Sequence, residues 1–437
     1  MWRANNVSTD LEKRRLKLGF LPLTDCAPLV VAHELGLFEE FGLEVELVRE
    51  ASWASLRDKV AFGLLDGAQM LSSLPIATTL GLGGIQKTML TGCCLSLNGN
   101  AITVSNTLFQ RLLAVDGSTS QSDAVDHGWR LRQLIERDRQ AGRPPLRFAH
   151  VFPTSNHHYQ LRHWLTAAGI DPDRDLSLLV IPPARMVEHL RDGSIDGCCV
   201  GEPWGSLAVC EGVGQLLTSG HAIWNNSPEK VFGVTAQWHQ QHPASHHALL
   251  KALLLACDWL DRPRHRNEAA QLLARPEYVD APAEVLEMAL TGNFRTGQQK
   301  SALNCGDFIV FSRYAANFPW LSHAEWLLTQ MYRWGQLDQA LDLRELAGQV
   351  YRPDLFRAAA TELGLPVPTI DRKSEGSHAG HWMLSEASTP LLMGPDQLID
   401  GSRFDPAQPI AQLLTQPPPA QLRVDLAALA ALNHIPH

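Results

Sequence analysis

The chain has 437 residues, 45% of them hydrophobic and 19% charged, and a formal net charge of −9. That length exceeds a single compact core and fits two or three packing units. The negative balance argues against a nucleic-acid-binding surface as the main business of the chain, and any anion site must be locally positive against it.

Residues 1–15 contain no apolar core of the length an export signal needs, and a strand-like run, residues 16–21, follows at once. Arg14-Arg15 is a charged pair before a strand, because no apolar stretch follows it. The expectation is a cytoplasmic protein with reduced thiols. The eight cysteines include no C-x-x-C, and Cys93-Cys94 and Cys198-Cys199 lie in apolar runs, so they read as small buried residues.

A repeat of layout occupies the first half. Strand 16–21, a Pro22-Leu-Thr-Asp-Cys26 loop, a helix over about 27–41 and a strand at 43–48 are echoed by strand 146–151, Pro153-Thr-Ser-Asn-His157, a helix to about residue 168 and a strand ending near 181. Each unit then closes a helix with a matching phrase, Gly63-Leu-Leu-Asp66-Gly67 and Gly193-Ser-Ile-Asp196-Gly197. The leading glycine suits a left-handed helix end, and an apolar strand follows each Asp-Gly. Two such units predict two parallel-rich sheets covered by helices. Ligands bind off the carboxyl ends of such strands. Here those ends are the Pro22 and Pro153 loops, rich in capping residues, and helix N-termini favour anions.

The remainder is more helical. Residues 243–273 and 282–291 are amphipathic, and residues 304–337 are dense in aromatic residues at core-like spacing. A polar linker is expected over 371–381, and a short Ala/Leu helix over 422–432, after Pro417-Pro-Pro419. That helix packs on its own lobe or, as a weaker alternative, meets a partner. No G-x-S-x-G, H-E-x-x-H or Walker A motif is present, and His239, His242, His246 and His247 read as surface residues rather than a metal site.

Six phrases carry a family resemblance: Gly19-Phe-Leu-Pro-Leu-Thr-Asp-Cys-Ala-Pro28, Asp66-Gly-Ala68, Asn98-Gly-Asn-Ala-Ile102, Val200-Gly-Glu-Pro-Trp204, Pro228-Glu-Lys-Val-Phe232 and Arg333-Trp-Gly335. Over residues 16–356 the chain resembles the nitrate/bicarbonate substrate-binding proteins of bacterial ABC uptake systems. The resemblance implies an α/β, two-lobed periplasmic-binding-protein-like (type II) fold with a cleft between the lobes, here with an extra C-terminal helical segment. It divides the chain into lobe 1 at 16–105 plus 235–370, lobe 2 at 106–234, and an extension at 371–437. It also implies an anion site of Trp53, Asn100, His157 and Lys230, with no catalytic residue, metal or cofactor.

The lysine of the nitrate-binding members matches Lys230, where bicarbonate-binding members have an acidic residue. Asn100 stands where glutamine is usual, which loosens the pocket or admits nitrite. Nitrate accepts hydrogen bonds and donates none, so an indole N–H, an amide, an imidazole N–H and an ammonium suit it. Without an export signal, the chain is most similar to cytoplasmic nitrate sensors of the NasS type. These imply an ANTAR-type RNA-binding antiterminator as partner, held without nitrate and released with it. The alternatives are a nitrate-binding component of an ABC uptake system and, less favoured, a thiamin-pyrimidine-precursor-type enzyme, whose cysteine motif Cys93-Cys94-Leu-Ser96 does not supply.

Overall fold

The computed structural model describes residues 11–117, 123–295, 302–415 and 422–433. Residues 1–10 of the N-terminal segment and the run Pro417-Pro-Pro419 lie outside the described residues.

The first repeat unit forms β1 (Arg15–Phe20), β2 (Glu44–Arg49) and β3 (Gly67–Leu71), followed by β4 (Met89–Asn98). The chain then enters a second sheet of β5 (Asn100–Ser105), β6 (Leu146–His150), β7 (Leu176–Val180), β8 (Gly197–Gly201) and β9 (Gly214–Ser219), and returns to the first with β10 (Pro228–Thr235). The sheet orders are Ile309–Val310, β4, β10, β3, β1, β2 and β7, β6, β8, β5, β9.

The duplicated layout has a common physical cause. In each unit a central strand pairs in parallel with two others: β1 with β2 and β3, β6 with β7 and β8. Asp66 accepts from the Lys17 N–H at 2.9 Å, and Asp196 accepts from the Arg147 N–H at 2.7 Å. Each Asp-Gly phrase thus satisfies a backbone N–H near the start of its central strand and launches the next strand beside it. Gly63 and Gly193 end their helices at φ 74° and 72°, in the left-handed conformation the sequence predicts.

Several expectations change. The sheets are mixed, because β10 runs antiparallel to β3 and β4, and β5 antiparallel to β8 and β9. Sheet membership puts the crossings near residues 99 and 226, not at 105 and 234, because β5 already pairs within the second sheet and β10 within the first. Gly36, at φ 69°, splits the expected 27–41 helix into Ala27–Glu34 and Leu37–Glu40. His246 is buried, with Nδ1 3.0 Å from His239 Nδ1, so it is not a surface residue.

Most of the aromatic segment is core as read, with Phe308, Phe311, Phe318, Trp320, Trp326, Tyr332 and Trp334 buried and Tyr314 half-buried. Its regular helix is confined to Leu321–Arg333. No helix among the described residues is long and apolar enough to cross a membrane.

Among its described residues the C-terminal extension is mostly not helical. These hold a hairpin, Trp382–Leu384 with Leu391–Met393, and two short helices, Ala411–Thr415 and Leu426–Leu432. It lies over the returning connection between the sheets, where Asn225 N–H donates to Gln397 at 3.1 Å and Ile399 N–H to Ile223 at 2.8 Å. Asp400 pairs with His163 of the second sheet's unit at 3.1 Å. Leu429 is fully buried and the Asn433 amide bonds Leu343 N–H and Leu341 C=O, so the last helix packs on its own chain.

The inner anchor of the extension is Glu375, fully buried against Ser322, Lys373 and His323. Burial pushes this carboxyl up, but Lys373 and His323 outweigh burial and hold it at about 2. A carboxyl held below its unfolded value lends stability above that value and loses it as pH falls. Glu375→Gln is expected to cost about 1.5–3 kcal/mol at pH 7, from the lost charged hydrogen bonds, with the difference shrinking as pH falls from about 4.5 toward 2. Urea titrations across that range check it, and an equal loss at pH 7 and pH 3 would refute this role for Glu375.

Candidate functional site

Four elements deliver the predicted site residues to one buried cluster between the two sheets. Trp53 opens the helix Trp53–Ala61, whose N-cap Ser52 accepts from Ser55 N–H at 3.2 Å. Asn100 opens β5, immediately after Asn98 and Gly99 turn the chain at φ 59° and 101°. A side chain at Gly99 would be strained by that backbone and would press on Ile309. His157 is the second residue of the helix Asn156–Ala167, capped by Ser155, which accepts from His158 N–H at 3.1 Å. The other loop differs from expectation. Thr24–Cys26 forms a 3-10 turn, no side chain caps the helix Ala27–Glu34, and Asp25 turns into the site instead.

Lys230 lies on β10, which breaks register with β4 on both sides of it. Neighbouring side chains on a regular strand point to opposite faces, and such irregularities redirect them. Here Glu229 and Lys230 meet, with Oε1 and Nζ 2.6 Å apart.

All four predicted residues are no more than 1% exposed. Lys230 Nζ also pairs with Asp25 Oδ2 at 2.8 Å and sits 5.5 Å from the centre of the Trp53 ring. Glu229 Oε1 is 3.4 Å from His157 Nε2, while Oε2 accepts from Asn100 at 2.9 Å and from Asn156 at 3.2 Å. The Gln69 amide donates to Asp25 Oδ1, and Gln69 in turn accepts from Leu21 N–H at 2.9 Å.

The electrostatics differ from the sequence expectation. The sequence reading gives Lys230 as a charge offered to the ion. It instead lies between two carboxylates, because an ammonium this deeply buried needs charge partners. Burial works against its proton, but Asp25 and Glu229 more than offset this and hold its pKa above the ordinary value. Burial, seconded by Lys230, keeps His157 well below its ordinary value, so it is a neutral imidazole with one N–H to give. Burial pushes Asp25 up to about 6 against the pull of Lys230.

Several donors remain unused. Trp53 Nε1 and both ring nitrogens of His157 lack a hydrogen-bond partner, as does Thr24 Oγ1. A buried donor without a partner costs about 1–3 kcal/mol, so such atoms gathered at one place are disposed toward a hydrogen-bond acceptor.

The units close over this cluster. Thr24 N–H donates to Glu202 C=O at 2.8 Å, and Trp204 Nε1 to Pro22 C=O at 3.1 Å. Tyr159 donates to Gln336 and Gln336 to the Pro153 carbonyl, each at 2.7 Å. The Arg162 guanidinium lies 4.6 Å from the Trp334 ring centre.

The sequence reading missed Asp25, Gln69, Asn156 and Glu229. Three of these sit inside quoted phrases, but their direction could not be read. Among the described residues no group of three or more His, Cys, Asp or Glu side chains could hold a metal ion.

A model of the NMT1-like family matches residues 9–274, more than half of the chain. The chain belongs to the NMT1-like family. Among relatives of this NMT1-like chain, the nitrate import ATP-binding protein NrtC of Synechocystis sp. is 43% identical over 360 residues, covering 82% of this chain and 51% of that protein. The chain therefore spans about half the length of such ATP-binding relatives. The nitrate/nitrite binding protein NrtA of the same organism is 33% identical over 410 residues, covering 91% and 83%. The crystal structure of the periplasmic nitrate-binding protein NrtA from Synechocystis PCC 6803 superposes with a TM-score of 0.81 at 30% identity, covering 93% of this chain and 99% of that one. The architecture is thus the two-lobed α/β fold of periplasmic binding proteins, as the resemblance implied.

Proposed function

We propose that this chain binds nitrate or nitrite through Trp53, Asn100, His157 and Lys230. The observation that carries the proposal is the pair of partnerless donors, Trp53 Nε1 and the His157 ring, beside a buried charged lysine under closed lobes. A planar acceptor-only anion satisfies those donors and uses the indole as a wall. Similarity to the nitrate-binding relatives supports the choice of ion. Calorimetry with nitrate and nitrite tests it. Binding heat with either is expected, and its absence with both, at millimolar ion, would sink the reading.

The ion acts by favouring the closed arrangement, since a ligand shifts an equilibrium only through its preference for one state. On this reading the protein is a cytoplasmic sensor of nitrate assimilation, holding an ANTAR-type RNA-binding antiterminator and releasing it when nitrate closes the lobes. Its support is the sequence resemblance. A second reading, a nitrate-binding part of an ABC uptake system, is favoured by the 43% identity to an import ATP-binding protein. Co-purification separates them. Release of the antiterminator by millimolar nitrate supports the sensor, and retention of a transport ATPase subunit in its place supports the uptake component. Cell fractionation checks the location.

A further inference from the structure

The Glu229 carboxylate occupies the place an anion would take. It is planar and singly charged. Its two oxygens are held by Lys230 at 2.6 Å, by Asn100 at 2.9 Å and by Asn156 at 3.2 Å, and lie 3.4 Å from His157. Two of the four side chains assigned to nitrate, Asn100 and Lys230, are therefore engaged by the chain's own anion, and a third, His157, stands beside it. An ion arriving there needs the same donors.

The charge count sharpens the conflict. Lys230 faces both Asp25 and Glu229, which leaves the ionised cluster with one excess negative charge. A nitrate ion added with no other change doubles that excess in a place closed to water, where charges are poorly screened. One proton bound with the ion restores the original balance. A carboxylate stripped of its donors in such a place favours its neutral form.

We propose that Glu229 is the internal counter-anion of this site: the entering ion takes the donors that hold its carboxylate, and the freed carboxyl binds one proton from solvent. Glu229 is thus a specificity-determining residue. As a carboxylate it closes the empty site, and as the acid it makes room electrically for a monoanion and can donate its own O–H. This rests on the nitrate reading above.

The titratable groups facing Glu229 are few. Lys230 neighbours it on β10, Asp25 faces it from the 3-10 turn, His157 from its helix and Cys199 from β8. Burial keeps the Cys199 thiol protonated and the His157 ring neutral, and Lys230 stays charged. The two carboxyls remain as acceptors for the proton. Lys230 is shared by both carboxyls and by the ion, but Asp25 keeps the Gln69 amide when the ion enters, whereas Glu229 gives up Asn100 and its approach to His157.

Nitrate calorimetry in HEPES and in Tris, buffers of different ionisation enthalpy, tests the proposal at pH 7.5. The two heats are expected to differ by an amount equal to about one proton taken up per ion, and the affinity to fall about tenfold per pH unit above neutrality. Glu229→Gln mimics the neutral acid. It is expected to bind nitrate at least about tenfold more tightly than the parent at pH 8.5, with equal heats in both buffers. Equal heats for the parent would overturn the proposal. So would a Glu229→Gln protein that still takes up the proton, since that moves the linkage to Asp25 or His157. If that variant does not fold, Asp25→Asn takes its place: it is expected to keep the uptake of about one proton, and loss of the uptake there would overturn the proposal. Absence of heat for the parent in every buffer instead defeats the nitrate reading on which this rests.

Discussion

Replacing Lys230 by methionine is expected to destabilise the protein by about 3–5 kcal/mol near neutral pH, the cost of removing one partner from a buried ion pair. Nitrate binding is expected to be lost with it. Methionine keeps most of the volume of the side chain and none of its charge. Asp25 and Glu229, both no more than 1% exposed, would be left facing each other without a cation.

The loss carries a pH signature. Burial already raises Asp25 to about 6 from an ordinary 3.8 while Lys230 is present. A carboxyl whose folded value is raised lends stability that is complete below its unfolded value and disappears as pH rises through its folded value. Without Lys230 this penalty deepens, so the difference from the parent should be larger at pH 7.5 than at pH 5. Urea denaturation at both values checks it, and a difference independent of pH would mean that the lysine does not counter these carboxyls. Lys230→Glu adds a third carboxyl to the cluster and is expected to abolish binding as well.

Trp53→Ala is expected to cost about 3–5 kcal/mol of stability, the usual penalty for truncating a fully buried large aromatic residue. It also removes the ring beside Lys230 and the partnerless indole N–H. Trp53→Phe separates these contributions. Phenylalanine keeps an aromatic wall and lacks the donor, so nitrate affinity should fall roughly tenfold, about 1.4 kcal/mol, while stability changes by less than the alanine variant's loss. Thermal melts and calorimetry on the two variants measure both. Unchanged affinity in Trp53→Phe would show that the indole N–H does not meet the ion.

The repeat illustrates what a linear pattern can carry. Lys17 with Asp66, and Arg147 with Asp196, perform the same backbone task in two sheets across the same 49-residue separation, so the repeated phrase showed in the sequence although the contact itself did not. Glycines ending helices and alternation of strand and helix are local, so they were legible. The crossings were displaced because β5 and β10 carry apolar runs that look alike in either sheet. The cap expected before the helix Ala27–Glu34 failed because Asp25 serves Lys230 and Gln69 rather than its own helix. A local propensity yielded to a buried charge more than two hundred residues away in sequence.

The sequence by itself determined the two repeated units, the α/β class, the buried cysteine pairs and the identity of four residues that meet at one place. It determined these because each follows from periodicity, from turn chemistry or from phrases long enough to be matched. Tertiary structure alone decided the electrical state of that place. Whether Lys230 stands free or is answered by Asp25 and Glu229 depends on the register breaks in β10 and on the turn at Thr24–Cys26. Charge interactions act through space and grow as water is excluded, and no spacing along the chain records either distance or burial.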